Sequence, residues 1–125
     1  MDLFTGIILG VLVLFIVLRM MPAKGVKNIR ANELNNKMNQ EKVTVIDVRE
    51  PNEYKSGHIP NAVNVPLSKL KNQMNKVPKD KPVHLICRSG GRSMQAARVL
   101  KQNGYDNLIN VQGGMTAWNG KVTKR

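Results

Sequence analysis

Four short runs rich in apolar and β-branched residues, VTVIDV (43–48), AVNV (62–65), PVHLIC (82–87) and NLINV (107–111), recur along the chain with helical patterns between them. Strands that alternate with helices in one small domain require a mainly parallel sheet covered on both faces. VTVIDV in particular has the dense β-branched character of a strand buried on both sides. The connecting segments fit this frame. ANELNNKMNQ reads as a short surface helix, and PNEYKSG as one or two helical turns opened by Pro51 and stopped by Gly57. LSKLKNQMNKV spaces Leu67, Leu70, Met74 and Val77 at intervals of three and four, which predicts an amphipathic helix. RSMQAARVLKQNG carries Ala96, Ala97, Val99 and Leu100 on a helix closed by Asn103 and Gly104, and QGGMTAW reads as a glycine turn followed by a short helix containing Trp118.

Ahead of these elements, residues 3–18 (LFTGIILGVLVLFIVL) contain no charge. As a helix they span about 24 Å at about 1.5 Å per residue, a little short of a hydrocarbon core of about 30 Å. Met20, Met21 and a snorkelling Arg19 would extend the reach, so a transmembrane anchor over 1–22 is expected. A cleaved signal peptide fits less well, because the n-region offers Asp2 and no Lys or Arg, and RMMPAKG is a poor cleavage site. Arg19, Lys24, Lys27 and Arg30 follow the run while only Asp2 and the amino terminus precede it, which places the remainder on the cytoplasmic side of a single-pass protein. Gly6 and Gly10 form a G-x-x-x-G pair, a pattern too common in membrane helices to assign a dimer. The expected organisation is an anchor at 1–22, a linker at 23–28, one domain at 29–120 and a basic tail at 121–125.

Twenty Lys and Arg against eight Asp and Glu give a formal charge of +12, which makes anionic small molecules, acidic lipid and nucleic acid all candidate partners. Nucleic acid is set aside. The charges are scattered from residue 19 to 125, aromatic residues make up only 4% of the chain, and no nucleic-acid motif is present. The tail KVTKR suits a solvated face or contact with anionic lipid.

The single cysteine is the most informative residue. One thiol can form neither an intrachain disulfide nor a zinc site unaided, which leaves a buried thiol, an intermolecular link or a nucleophile. Cys87 closes an apolar run and opens CRSGGRS (87–93), at the end of a strand where parallel sheets bind their ligands. The thiolate is favoured near a helix N-terminus and near cations, and Cys87 is expected to have both, with Arg88 and Arg92 as permanent charges. Ser89, Gly90 and Gly91 expose backbone amides with little side-chain bulk, so that successive N–H groups converge as an anion-binding nest. A structural cysteine accounts for the strand but not for two arginines and two glycines in the next five positions. Attack by a thiolate on an anionic electrophile is the expected chemistry.

DVREPNEYKSGHIPNAVNVP (47–66), VHLICRSGGRS (83–93) and VQGGMTAW (111–118), taken in this order and separation, resemble the single-domain rhodanese (thiosulfate sulfurtransferase) family over residues about 29 to 120. The resemblance implies an α/β fold with a five-stranded parallel sheet flanked by helices, here preceded by one transmembrane helix. It implies that Cys87 becomes a persulfide, that the amides of Arg88, Ser89, Gly90, Gly91, Arg92 and Ser93 cradle the sulfur, and that Arg88 or Arg92 orients an anionic donor. Asp47 and Arg49 match a strand-end signature with a mainly structural role, and His58 matches a turn signature. His84 is expected to be packed within its strand and Trp118 to pack in the core. The spacing C-x4-R resembles the sulfurtransferases, whereas phosphatases of the same fold use C-x5-R, a wider ring that surrounds a phosphoryl group. The implied activity moves a sulfane sulfur from a small anionic donor such as thiosulfate to a thiol or protein acceptor, or to cyanide, with no metal and no organic cofactor. A reading of a different class is a membrane-tethered sulfur carrier or partner-binding module with little turnover; the intact Cys87, Arg88 and Arg92 weigh against a dead domain.

Overall fold

A computed structural model describes residues 2–20 and 25–125, apart from the side chains of residues 19 and 20. Its first element is helix α1 (Leu3–Met20), whose apolar side chains are exposed from Leu3 to Leu18. Among the described residues no helix is long and apolar enough to cross a membrane. The transmembrane helix expected over 1–22 is therefore not met by these residues. The uncharged stretch 3–18 falls short of a hydrocarbon core on its own, by the length argument above. Its expected extension through Arg19, Met20 and Met21, like the charge at Lys24, lies outside the described residues or side chains.

The remainder is the α/β domain. Its strands are β1 (Val26–Arg30), β2 (Thr44–Asp47), β3 (Val63–Asn64), β4 (Val83–Ile86) and β5 (Leu108–Gln112). They form a five-stranded sheet in the order β1-β5-β4-β2-β3, with every neighbouring pair parallel. Four of these strands coincide with the apolar runs of the sequence. The fifth, β1, begins inside the stretch expected to be a linker. VKNIR offers only Val26 and Ile29 as apolar residues, and its place comes from full pairing with β5, Val26 opposite Leu108 through Arg30 opposite Gln112. Tertiary pairing rather than local propensity makes this strand.

Both faces of the sheet are covered, which explains the uninterrupted apolar character of β2 and β4. Neighbouring residues alternate between two cores. Ile46, Leu85 and Cys87 pack with Ala96, Ala97 and Leu100 on one side, while Val45, Ile86 and Val111 pack with Ala31 and Leu34 on the other. The first of these layers is formed by α4 (Gly91–Gln102), whose alanines allow it to lie close to the sheet, and the second by α2 (Ala31–Met38). Helix α3 (Pro51–Lys55) starts with the expected proline and a capping box in which the Glu50 side chain and the Glu53 side chain each accept the other's backbone N–H.

The segment 67–77 departs from expectation. Instead of one amphipathic α-helix it forms two 3-10 helices, Leu67–Asn72 and Met74–Lys76, separated at Gln73 with φ −120°. Leu67 and Leu70, like Met74 and Val77, are three residues apart, the repeat of a 3-10 turn, and Ser68, Asn72 and Asn75 are poor α-helix formers. The carbonyls of Met74 and Val77 are held by the Tyr105 hydroxyl, at 2.9 and 2.8 Å, so a long-range contact fixes the tighter winding. QGGMTAW is likewise a 3-10 turn, Gly114–Ala117, which ends just before Trp118. The Trp118 side chain is half-buried against the α2-side core and its indole N–H donates to the Lys121 carbonyl at 3.0 Å.

Candidate active site

β4 runs into the thiol. Residues 83–86 are buried, the strand delivers Cys87 to its carboxyl end, and α4 begins four residues later. Gly90, at φ +110°, takes a left-handed conformation that glycine adopts without strain, and this turns the chain sharply enough to bring its own N–H back to within 3.0 Å of Cys87 Sγ. Ser93, one turn into α4 and fully buried, sets its hydroxyl 3.3 Å from the same sulfur. Burial pushes the Cys87 thiol up, but hydrogen bonding from the Ser93 hydroxyl and from the amides of Ser93, Gly90 and Ser89 more than reverses this, and the thiol lies below its usual range. Cys87 is 1% exposed.

The residues expected to surround Cys87 thus divide. Ser89, Gly90 and Ser93 act on the sulfur directly, and Gly91 supplies the first residue of α4. Arg88 is exposed and lines a recess of about 330 Å³ together with Arg49, Glu53, Ser56, Met115 and Thr116. Arg92 turns away. Its guanidinium makes a two-pronged contact with Glu53, Nη1 to Oε1 at 2.6 Å and Nη2 to Oε2 at 2.8 Å. The main lowering of the thiol comes from hydrogen bonds, where the sequence had pointed to the two arginine charges.

Three features of the site were missed in the sequence. The first is the turn after β5. Met115 N–H donates to the Cys87 carbonyl at 2.8 Å and Thr116 N–H to the Arg88 carbonyl at 3.0 Å, so the loop's carbonyls are turned outward onto this turn while its amides face the sulfur. Gly114 lies against that backbone so closely that a Cβ would fall on the Cys87 carbonyl oxygen and 2.7 Å from the Arg88 carbonyl carbon. The doubled glycine in VQGGM was the available signal. The second is Asn110 on β5, whose Oδ1 lies 2.5 Å from the Ser93 hydroxyl and shares its single hydrogen with the sulfur, and whose amide donates to the Asn28 side chain at 3.1 Å, a buried polar chain behind the thiol. A polar residue at the centre of NLINV was the trace it left. The third is Glu53, which lay within the matched stretch but carried no sign of its partner 39 positions away.

The expected scaffolding residues are in place. Asp47 is fully buried and receives Arg49 through Nε at 3.0 and 3.1 Å and Nη2 at 2.8 Å, while Arg49 Nη2 also reaches the Gly57 carbonyl at 2.8 Å. Asn64 ties the same strand end by donating to the Asp47 and Arg49 carbonyls, both at 2.9 Å. His58 is buried in its turn, stacked on Tyr54 at 3.6 Å between ring centroids, with Nδ1 on the Tyr54 carbonyl at 2.7 Å. His84 is fully buried in β4 with Nδ1 on the Thr44 carbonyl at 3.1 Å. The hydrogen bonds given for the two histidines go to the Tyr54 and Thr44 carbonyls, and the thiol is lowered by its own loop.

A strand-end cysteine in a ring of amides, closed by a helix N-terminus and braced by a glycine turn, fits the rhodanese-like domain model, which matches residues 30–121. The chain belongs to the rhodanese-like domain family. Relatives in sequence include the Bacillus subtilis protein YqhL, 48% identical over 81 residues that make up 65% of this chain and 64% of YqhL. An Allochromatium vinosum protein named sulfurtransferase is 42% identical over 78 residues, 62% of this chain and 73% of its own length. The match thus spans less than two thirds of YqhL. Among solved structures, the crystal structure of a rhodanese-like domain protein from Staphylococcus aureus superposes with a TM-score of 0.74 at 35% identity, covering 79% of this chain and 98% of that one.

Proposed function

We propose that this chain is a sulfurtransferase that moves a sulfane sulfur from a small anionic donor such as thiosulfate to a thiol acceptor through a persulfide on Cys87. The observation that carries the reading is the Gly90 N–H at 3.0 Å from a Cys87 sulfur whose thiol is lowered despite its burial. The Cys87 thiolate attacks the outer sulfur of the donor, the S–S bond of thiosulfate breaks, and sulfite leaves with the bonding pair. The outer sulfur of the resulting Cys87 persulfide carries the negative charge, within reach of the loop amides of Ser89, Gly90 and Ser93, which act as an oxyanion hole acts on oxygen. An acceptor thiolate, or cyanide in an assay, then takes that outer sulfur and restores the Cys87 thiolate. Arg88, exposed at the recess, orients the donor, Gly91 leaves the mouth of the loop open, and Arg92 fixes the outer wall through Glu53. The six-residue loop from Cys87 to Arg92 supports sulfur chemistry over the phosphatase reading, because a sulfur atom needs a narrower ring than a phosphoryl group.

The name of the Allochromatium vinosum relative supports sulfur transfer in general. The test is intact-protein mass spectrometry before and after thiosulfate, with Cys87→Ser beside the wild type. A reducible gain of one sulfur atom, absent in the variant and discharged by cyanide as thiocyanate, is the expected result. No gain on a folded protein with a free thiol refutes the reading and leaves the tethered binding module.

The organisation proposed with this function keeps the catalytic domain at about 29–120 with a basic tail at 121–125, and uses α1 as a membrane anchor that holds the domain on the cytoplasmic side. What supports the anchor is the uncharged helical stretch 3–18 with its apolar side chains exposed, followed by basic residues. Membrane fractionation of the full chain checks it: resistance to carbonate extraction is expected, and release by salt or carbonate overturns it.

A further inference from the structure

The recess lined by Arg88, the residue next to the thiol in sequence, is far less positive than the sequence suggests. Arg88 and Arg92 read as two cations waiting for an anion, yet the Arg92 guanidinium spends both of its terminal nitrogens on Glu53, at 2.6 and 2.8 Å. Glu53 is itself held by the Glu50 N–H on Oε1 at 3.1 Å, and hydrogen bonding to Arg92 brings its carboxyl down to about 2, so the carboxylate is charged at any physiological pH. Arg49 is committed to buried Asp47 and the Gly57 carbonyl. Among the described residues that line the recess, Arg88 is the cation for which no carboxylate partner is shown, and Glu53 itself forms part of the wall. Glu50 adds a further carboxylate acting on Arg92. In and beside this recess, then, Arg49, Arg88 and Arg92 are set against Asp47, Glu50 and Glu53, and the Cys87 thiolate adds one more negative charge acting on Arg92.

This distribution discriminates between donors by charge. The net charge of +12 draws all anions toward the protein at long range, but the last few ångströms are governed by the local groups, where screening by salt is weakest. A dianion must bring two negative charges against a thiolate with one uncommitted cation to receive them, and a monoanion brings one. We propose that Glu53, by neutralising Arg92, makes this site select monoanionic sulfane-sulfur donors, such as organic persulfide and thiosulfonate anions, over the dianion thiosulfate. The inference rests on the sulfur-transfer reading and assigns its substrate class. The chemistry balances for both donor types. With an organic persulfide, Cys87–S⁻ and R–S–S⁻ give Cys87–S–S⁻ and R–S⁻. With methanethiosulfonate, Cys87–S⁻ and CH₃SO₂–S⁻ give Cys87–S–S⁻ and methanesulfinate. In each case one S–S bond forms, one sulfur–sulfur bond breaks, and the leaving group departs with the bonding pair.

Thiosulfate and the free methanethiosulfonate anion form the diagnostic pair, since both are tetrahedral sulfur centres carrying a terminal sulfane sulfur and they differ by one unit of charge. The full-length protein in detergent is assayed with each donor and cyanide, and kcat/KM is taken as a ratio, in wild type and in Glu53→Gln. Glutamine retains the capping position of α3 and removes the charge. Wild type is expected to prefer methanethiosulfonate, and Glu53→Gln to raise the thiosulfate-to-methanethiosulfonate ratio about fivefold, the scale of one solvent-screened charge pair. A wild-type preference for thiosulfate overturns the proposal whether or not the variant folds, as does an unchanged ratio in a folded Glu53→Gln. Transfer that proceeds with both donors but without this charge preference leaves the sulfurtransferase reading standing. Transfer from neither donor, with Cys87 intact, removes both.

Discussion

Replacing Gly114 by alanine tests the claim that the turn after β5 holds the thiol loop in shape. The added Cβ would meet the Cys87 carbonyl oxygen and lie 2.7 Å from the carbonyl carbon and oxygen of Arg88, all backbone atoms that cannot swing aside. The residue sits at φ +52°, where alanine is disfavoured by about 1 kcal/mol. Relieving the overlap costs about 1–3 kcal/mol more. Moving the turn outward also weakens the bonds from Met115 N–H to the Cys87 carbonyl and from Thr116 N–H to the Arg88 carbonyl, each worth about 1 kcal/mol. A loss of about 4 kcal/mol is expected, a large share of the roughly 5–15 kcal/mol available to a domain of this kind. The matched control is Gly91→Ala, at a glycine whose Cβ would meet nothing within 4 Å and whose φ is not positive. It is expected to change stability by less than about 0.5 kcal/mol. Urea unfolding of the three proteins gives both values, provided that the slope m is common to them. If Gly114→Ala lies within about 1 kcal/mol of wild type, the turn does not brace the loop and the account of how the amides come to face the sulfur is wrong.

Ser93→Ala removes the side-chain hydrogen bond that lowers the Cys87 thiol, so the midpoint of the pH profile for iodoacetamide alkylation should move up; a midpoint that stays put or falls refutes the role given to Ser93. Burial holds the His84 imidazole below its ordinary value, more than the Thr44 carbonyl and Glu41 raise it, with Lys37 lowering it further. The unfolded chain therefore binds the extra proton first, and the stability linked to this group is full above about pH 6.5 and lost as pH falls below it. Urea midpoints measured from pH 7.5 down to 5 should drop, and drop less in His84→Leu than in wild type; parallel curves would remove His84 as the cause. Tyr105→Phe deprives two carbonyls, those of Met74 and Val77, of the hydroxyl that spans them, and a loss of about 1–2 kcal/mol in urea unfolding is expected. A neutral result there would mean that the 3-10 helices wind tightly without the tyrosine.

The parts of the fold that were legible in the sequence are those where local pattern and tertiary environment demand the same thing. β2 and β4 are buried on both faces and read as uninterrupted apolar runs, and α4 carries small residues at the face that meets the sheet. β1 could not be read in this way, because VKNIR is half polar and becomes a strand only through β5, far along the chain. The two 3-10 helices share their spacing of three with an α-helical stripe, and the deciding Tyr105 contacts lie 28 and 31 residues away. At the site, the thiol, the loop glycines and Ser93 follow from a contiguous heptapeptide. The pairing of Arg92 with Glu53 does not, since a charge in a sequence announces itself without saying whether it is already spent.

The strand order carries a consequence for synthesis. β1 emerges first of the five strands and its only neighbour is β5, the last, so the sheet cannot close until residues 108–112 have left the ribosome. The groups that pin the outward side of the thiol loop, Gly114 to Thr116, come later still. A nascent chain that has produced Cys87 and α4 thus carries the thiol in a half-built sheet of high contact order that folds slowly, with the turn that holds its loop still to come. The bonds that hold the Cys87 loop are therefore completed only once β5 and the turn after it have been made, although the loop itself is synthesised earlier.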